Sequence, residues 1–234
     1  GVPQNLWINQ NGDGRGFALH ELFRSQPGRG GLSFPDLMRY AMNLHWDAPI
    51  VRGNLGPDVR AEAMRYAQVH KIEPGNSVIF FTGNNTNKPA PAEFWSLLSQ
   101  AYEAKGKKVF FNMHGGLFQP AGLDIRGTQI QLNADLAVAV CDVAGHMITG
   151  SNGLVGLSLL TNTSFEMNVL LTDGFDPTGV GNFLPFDPQV GSTVNGAPEW
   201  VSGLSRSFRE WVVSDHQDGF AALVESIVKG AKLD

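Results

Sequence analysis

The sequence predicts an α/β fold, a Rossmann-like parallel sheet flanked by helices and preceded by a loop-rich N-terminal segment. Three observations carry that reading. Short apolar runs of strand length alternate with helical segments through residues 57–172, and alternation at this spacing gives parallel strands joined by right-handed crossovers. The run Ser77-Val78-Ile79-Phe80-Phe81 is continuously apolar after its serine, as a central strand covered on both faces requires. Small polar loops follow three of the strands, at the carboxyl ends where open α/β sheets bind ligands.

The elements follow in order. Residues 1–33 are rich in glycine and have no clear period. Ser33 offers an N-cap for a helix through Met42, and Pro57-Asp58 starts a second helix through His70, with proline and acid in the first turn. The Pro74-Gly75-Asn76 turn leads into the 77–81 strand, then a helix over 91–105 ends at Gly106 and a second strand runs over 108–113. Ile130-Gln131-Leu132 reads as a third strand, 135–143 as a helix, 146–149 as a fourth strand, 153–160 as a helix and 166–172 as a fifth strand. Residues 173–200 carry Asp-Gly and Asp-Pro breaks, and two helices close the chain, one around Phe208-Arg209-Glu210-Trp211 and one from Gly219 to Lys232. The expected organisation is residues 1–56 as an N-terminal loop and helix segment, and 57–234 as one Rossmann-like domain.

Composition narrows the partners. A chain of 234 residues with 28 Gly and 13 Pro can bury one full core. The net charge of −5 and the absence of any basic stripe exclude a general nucleic-acid binder. Cys141 is the single cysteine, which excludes an internal disulfide and a cysteine metal cluster and fits a reducing compartment. No apolar stretch reaches the roughly 20 residues of a transmembrane helix, and the N-terminus has no basic-then-apolar signal pattern. A soluble, cytoplasmic protein is expected. The six histidines show no i,i+4 pair, so no metal site is expected. Asn9-Gln10-Asn11-Gly12-Asp13 resembles the start of a calcium loop, but its twelfth position is His20 rather than an acid. A flexible loop is the plainer reading.

The most informative stretch is His146 to Leu157, a short strand that enters a small-residue turn and opens a helix. Backbone N–H groups at such a turn are free to hold an anion, and the helix dipole adds to their attraction. Gly83-Asn84-Asn85-Thr86-Asn87-Lys88-Pro89 follows the first central strand and His114-Gly115-Gly116 the second. Three donor-rich loops on one rim point to a polyanionic ligand.

The runs Val78 to Trp95, Gly106 to Asn112 and His146 to Leu154 together resemble the C-terminal, donor-binding domain of GT-B glycosyltransferases, of the bacterial heptosyltransferase-like and fucosyltransferase-like kind. The resemblance covers residues 57–173 and lies in the order and texture of the segments. It implies half of a GT-B fold, with a nucleotide-diphosphate sugar as co-substrate, no resident cofactor, and transfer of the sugar to an acceptor hydroxyl in polysaccharide or glycan assembly. It implies that Lys88, with Ser151, Asn152, Gly153 and Leu154 of the fourth-strand loop, holds the donor phosphates, and the reading of the strand-end loops adds Gly83, Asn84, Asn85 and Gly115 to the expected donor site. The fourth-strand loop carries no charged residue here, which leaves Lys88 as the one cation. A base must take the acceptor proton; His114 and Glu166 are the candidates, and Asp142 reads as a structural carboxylate.

Residues 1–56 are too few for the acceptor domain of such an enzyme. Either the chain is the donor half of a longer or split enzyme, with an acceptor-domain partner or missing N-terminal half, or it is a noncatalytic α/β ligand-binding or assembly module. A phosphate-ester or sugar hydrolase using the same rim is the third alternative. Phe94-Trp95 reads as core unless Trp95 is exposed near Lys88, where it could stack on a sugar.

Overall fold

A computed structural model describes residues 45, 51–82, 90–112, 124–150, 152–172, 186–187, 192–193, 208–213 and 219–230. The chain divides into two compact units, Gly1–Pro49 with Phe175–Pro198, and Ile50–Gly174 with Glu199–Asp234. In the smaller unit, Phe186–Asp187 and Ser192–Thr193 pair antiparallel. The Ser33-capped helix and the Asn9–His20 loop lie outside the described residues.

The larger unit is built as the alternation predicts. Its described elements are β1 (Gly53–Asn54), α1 (Pro57–His70), β2 (Ser77–Phe81), α2 (Ala92–Ala104), β3 (Lys108–Asn112), β4 (Thr128–Ile130), α3 (Ala134–Ala144), β5 (Gly145–Gly150), α4 (Gly153–Leu159), β6 (Thr161–Asn162) and β7 (Glu166–Thr172). The strands β8 and β9 are the antiparallel pair of the smaller unit, and β10 (Phe208–Val213) and α5 (Ala221–Lys229) complete the larger one. Local chemistry sets the boundaries. Pro57 opens α1, and Lys71 closes it in the left-handed region with its N–H on the Ala67 and Gln68 carbonyls. Gly145 ends α3 at φ 96° and starts β5.

Six strands form one wholly parallel sheet in the order β10-β7-β5-β2-β3-β4. All five residues of β2 are buried, as expected of a strand covered on both sides. Val78, Phe80, Val109, Phe111, Ile148, Leu170 and Trp211 meet Phe94, Trp95 and Leu98 of α2 and Leu223, Val224 and Ile227 of α5 in one apolar core. On the other face α3 packs against β2 and β5, and α1 packs on α3. Asp142 of α3 ties these layers together. Its Oδ1 accepts from the Ser164 N–H at 2.6 Å and its Oδ2 from Arg60 at 3.3 Å, the structural role read from sequence.

Two expected elements are corrected. Residues 208–213 are a strand, not a helix: β10 lies parallel beside β7, with Trp211 opposite Leu170. Aromatic and β-branched residues suit a pleated edge, and tertiary pairing overrides the helical Phe-x-x-Trp spacing. The third strand lies at 128–130, because the next two residues are held from the side. Gln131 N–H donates to the Tyr66 hydroxyl at 3.2 Å and Leu132 N–H to Asn112 Oδ1 at 2.7 Å.

A buried side-chain hydrogen bond adds to the ladder between β10 and β7, from Trp211 Nε1 to Asn168 Oδ1 at 2.8 Å. Asn168→Ala leaves the indole N–H buried without a partner, and the expected loss is about 1–3 kcal/mol. A urea unfolding midpoint measures it, and an unchanged midpoint contradicts the bond's contribution.

Candidate functional site at the strand-order reversal

The sheet order has a consequence for where a ligand fits. From β2 the chain runs outward through β3 and β4, then returns to the far side of β2 and runs outward again through β5, β7 and β10. This is the doubly wound order whose reversal opens a crevice beyond the carboxyl ends of the two central strands. Here those strands are β2 and β5, paired from Ser77 opposite Gly145 to Phe81 opposite Thr149. The described residues at these two strand ends are Phe81 and Thr82 for β2 and Gly150 and Asn152 for β5.

Of the predicted donor-binding residues, Asn152, Gly153 and Leu154 are described, and Gly83, Asn84, Asn85, Lys88, Gly115 and Ser151 lie outside the described residues, as does His114. The described turn is tightly organised. Thr149 is fully buried at the end of β5, where its hydroxyl donates to the Gly150 carbonyl at 3.1 Å and accepts from Asn152 Nδ2 at 3.0 Å. Asn152 in turn caps α4, its Oδ1 accepting from the Leu154 N–H at 3.0 Å. The Val155 N–H is bonded to the Asn152 carbonyl at 3.1 Å.

This changes the expected donor set. The Leu154 N–H already serves the Asn152 side chain, whereas Gly153 beside it is exposed. No described neighbour crowds it: a Cβ on Gly153 would meet nothing within 4 Å. Thr149 was not singled out from sequence, although a hydroxyl residue closing a buried strand just before Gly150 is the signal that marks it.

Glu166 is not brought to this rim. It opens β7 opposite His146, whereas Gly150 pairs with Leu170, so Glu166 lies about 13 Å back along the strands at 3.3 Å per residue. Its Oε2 is 3.4 Å from His146 Nδ1. Trp95 is 1% exposed and packs against Phe80 and Phe94 with ring centroids 5.4 and 5.7 Å apart. It is a core residue and not a sugar platform. The described rim residues Phe81, Thr82, Asn112, Thr149, Gly150, Asn152 and Thr172 are all uncharged.

The opposite rim carries the titratable cluster. Burial lowers the pKa of His146, the Lys107 ammonium pushes the same way, and Glu166 opposes both. Tyr102, whose ring centroid is 6.5 Å from that of His146, is raised by burial first and by Glu166 second. A depressed imidazole pKa means that the unfolded chain binds the proton more readily. Stability is therefore expected to fall as pH drops below about 6.5 and to level off below the folded pKa. Melting temperatures of wild type and His146→Gln between pH 7.5 and 5 check this: the wild type should lose more. Parallel profiles contradict it.

No family model matches the chain, and no curated protein does. Two solved structures are similar to the chain, and the first shares its fold. The glycosyl transferase family 9 structure from Veillonella parvula DSM 2008 is similar over 82% of this chain and 50% of that one, with a TM-score of 0.50 and 12% identity. The E. coli heptosyltransferase WaaC with ADP is similar over 83% of this chain and 54% of that one, with a TM-score of 0.45 and 12% identity. The chain spans about half the length of these structures. A likeness at this identity is one of fold. The sheet order thus defines a doubly wound α/β protein, and its architecture is found in about half of a glycosyltransferase structure. Among the described residues, no helix is long and apolar enough to cross a membrane.

Proposed function

We propose that this chain binds a nucleotide-diphosphate sugar in the β2/β5 crevice and is the donor half of a glycosyltransferase that passes the sugar to an acceptor hydroxyl in glycan assembly. The observation that supports the reading is the strand-order reversal, which sets the carboxyl ends of β2 and β5 side by side. The fold shared with the Veillonella structure supports it. In this reading Ser151, Asn152 and Gly153 meet the diphosphate, Leu154 contributes packing in place of its occupied N–H, and Lys88, Gly83, Asn84, Asn85 and Gly115 complete the donor site. Lys88 supplies the compensating charge. His114 is the base candidate carried forward; Glu166, at the other rim, is left out. An acceptor domain, on a partner or in a missing N-terminal half, supplies the glycan.

A noncatalytic binding module is the second reading, and the uncharged character of the described rim favours it, because none of those side chains can move a proton at neutral pH. Thermal shift with a panel of nucleoside diphosphates and nucleotide sugars tests binding. A stabiliser at one hundred times its dissociation constant adds about 2.7 kcal/mol, and Lys88→Ala should abolish most of that shift. If no member of the panel stabilises the wild type at millimolar concentration, the donor-site reading is overturned. Transfer to a glycan acceptor on adding an acceptor domain separates the two readings.

A further inference from the structure

The turn that caps α4 contains an Asn-Gly pair, Asn152-Gly153, whose glycine is exposed to water. We propose that Asn152 is a site of spontaneous covalent modification, in which the Gly153 nitrogen closes a succinimide on the Asn152 side chain. The reaction balances within the chain plus water. The Gly153 amide nitrogen gives up its proton and bonds to Cγ of Asn152, the Cγ–Nδ2 bond breaks, and Nδ2 leaves as ammonia. Water then opens the ring at one of its two carbonyls to give aspartate or isoaspartate.

Three features of the turn favour this chemistry. Gly153 has no side chain to hinder closure and is exposed to water. Asn152 has a ψ of 179°, which places the Gly153 nitrogen nearer the Cβ side than a helical ψ of about −42° does. The Leu154 N–H lies 3.0 Å from Asn152 Oδ1, where negative charge gathers when Cγ becomes tetrahedral, so the helix cap doubles as an oxyanion hole. Thr149 Oγ1 lies 3.0 Å from Nδ2, and that contact is released as ammonia leaves. Asn152-Gly153 is the one Asn-Gly pair among the described residues; Asn11-Gly12 and Asn195-Gly196 lie outside them.

The two products differ in effect. Aspartate is as good an N-cap as asparagine, so α4 survives with a new negative charge at its start. Isoaspartate inserts a methylene into the main chain and removes the side-chain oxygen from its capping position. Under the donor-site reading, on which this last consequence alone rests, both products oppose a diphosphate, the first by charge and the second by shape.

The test ages the full chain in its folded state at mildly alkaline pH and 37 °C and maps the peptides by mass spectrometry with isoaspartate detection. A synthetic peptide spanning residues 149–157 is aged beside it. The expected result is conversion of Asn152 in the folded chain at least as fast as in the peptide, and its loss in Gly153→Ala, whose added methyl has open space. An Asn152 that stays intact in the folded chain while the peptide converts overturns the proposal, because the fold then protects the pair. Aged and fresh protein are also compared for nucleoside-diphosphate thermal shift. If neither shifts while Asn152 converts, the donor-site reading fails and the modification stands.

Discussion

Phe80→Ala is expected to lower the unfolding free energy by about 4 kcal/mol, the typical cost of emptying a fully enclosed aromatic site. Phe80 is 0% exposed in the middle of β2. Its ring lies 5.1 Å from Phe111 edge-on, 5.4 Å from Trp95 and 5.9 Å from Tyr102. Removing the ring therefore loses apolar burial and three aromatic contacts at once, and rigid neighbours on strand and helix cannot collapse into the space. Phe80→Leu keeps much of the volume and is expected to cost less than half as much. Denaturant unfolding of the pair measures both. An alanine variant as stable as the leucine one would show that the β2 layer is not the centre of the core.

The second large effect falls at Gly145→Ala. Gly145 has φ 96°, a conformation strained for any side chain, and a Cβ there would lie 2.9 Å from the Gly75 Cα and 3.2 Å from its carbonyl carbon. Backbone cannot step aside as a side chain can. Left-handed strain and overpacking together are expected to cost on the order of 3 kcal/mol. Gly230→Ala is the matched control. Its φ is 62°, but its Cβ would meet the movable end of Arg209 at 3.0 Å, so it is expected to cost roughly 1 kcal/mol, the left-handed penalty alone. Equal losses at the two positions would contradict the role given to the Gly75–Gly145 approach.

That approach also shows where sequence is legible and where it is not. The Pro74-Gly75-Asn76 turn and the start of the fourth strand are each readable from local chemistry, but nothing local says that Gly75 and Gly145 touch. The same division runs through the fold. Strands 77–81 and 166–172 are found as read, because a buried strand with turn residues at its ends carries its signal within itself. The 208–213 segment misleads because both of its faces are buried: Phe208, Glu210, Trp211 and Val213 are all below one-tenth exposure. Burial on both sides erases the alternation that identifies a strand. The β4 register was out of reach for a related reason, since Asn112 and Tyr66 fix residues 131 and 132 from distant parts of the chain.

For the site, the turn at Asn152 and Gly153 is legible as a helix start, and its place on a strand-end rim follows from alternation. The order of strands does not, because the return from β4 to the far side of β2 is a tertiary event. That return is what brings the ends of β2 and β5 side by side. The capping role of Asn152 was equally hidden. A run of Ser-Asn-Gly-Leu reads as a row of free donors, whereas in the fold one side chain takes up the Leu154 N–H and Thr149 holds that side chain in place.

Amide hydrogen exchange across the whole chain, with and without a saturating nucleoside diphosphate, tests the proposed binding crevice most directly. Protection concentrated in residues 83–89 and 151–156, with no change in the His146–Glu166 pair at the opposite rim, is the predicted result. Protection centred on that opposite rim, or unaltered exchange at the β2 and β5 ends in a complex shown to form, would contradict it.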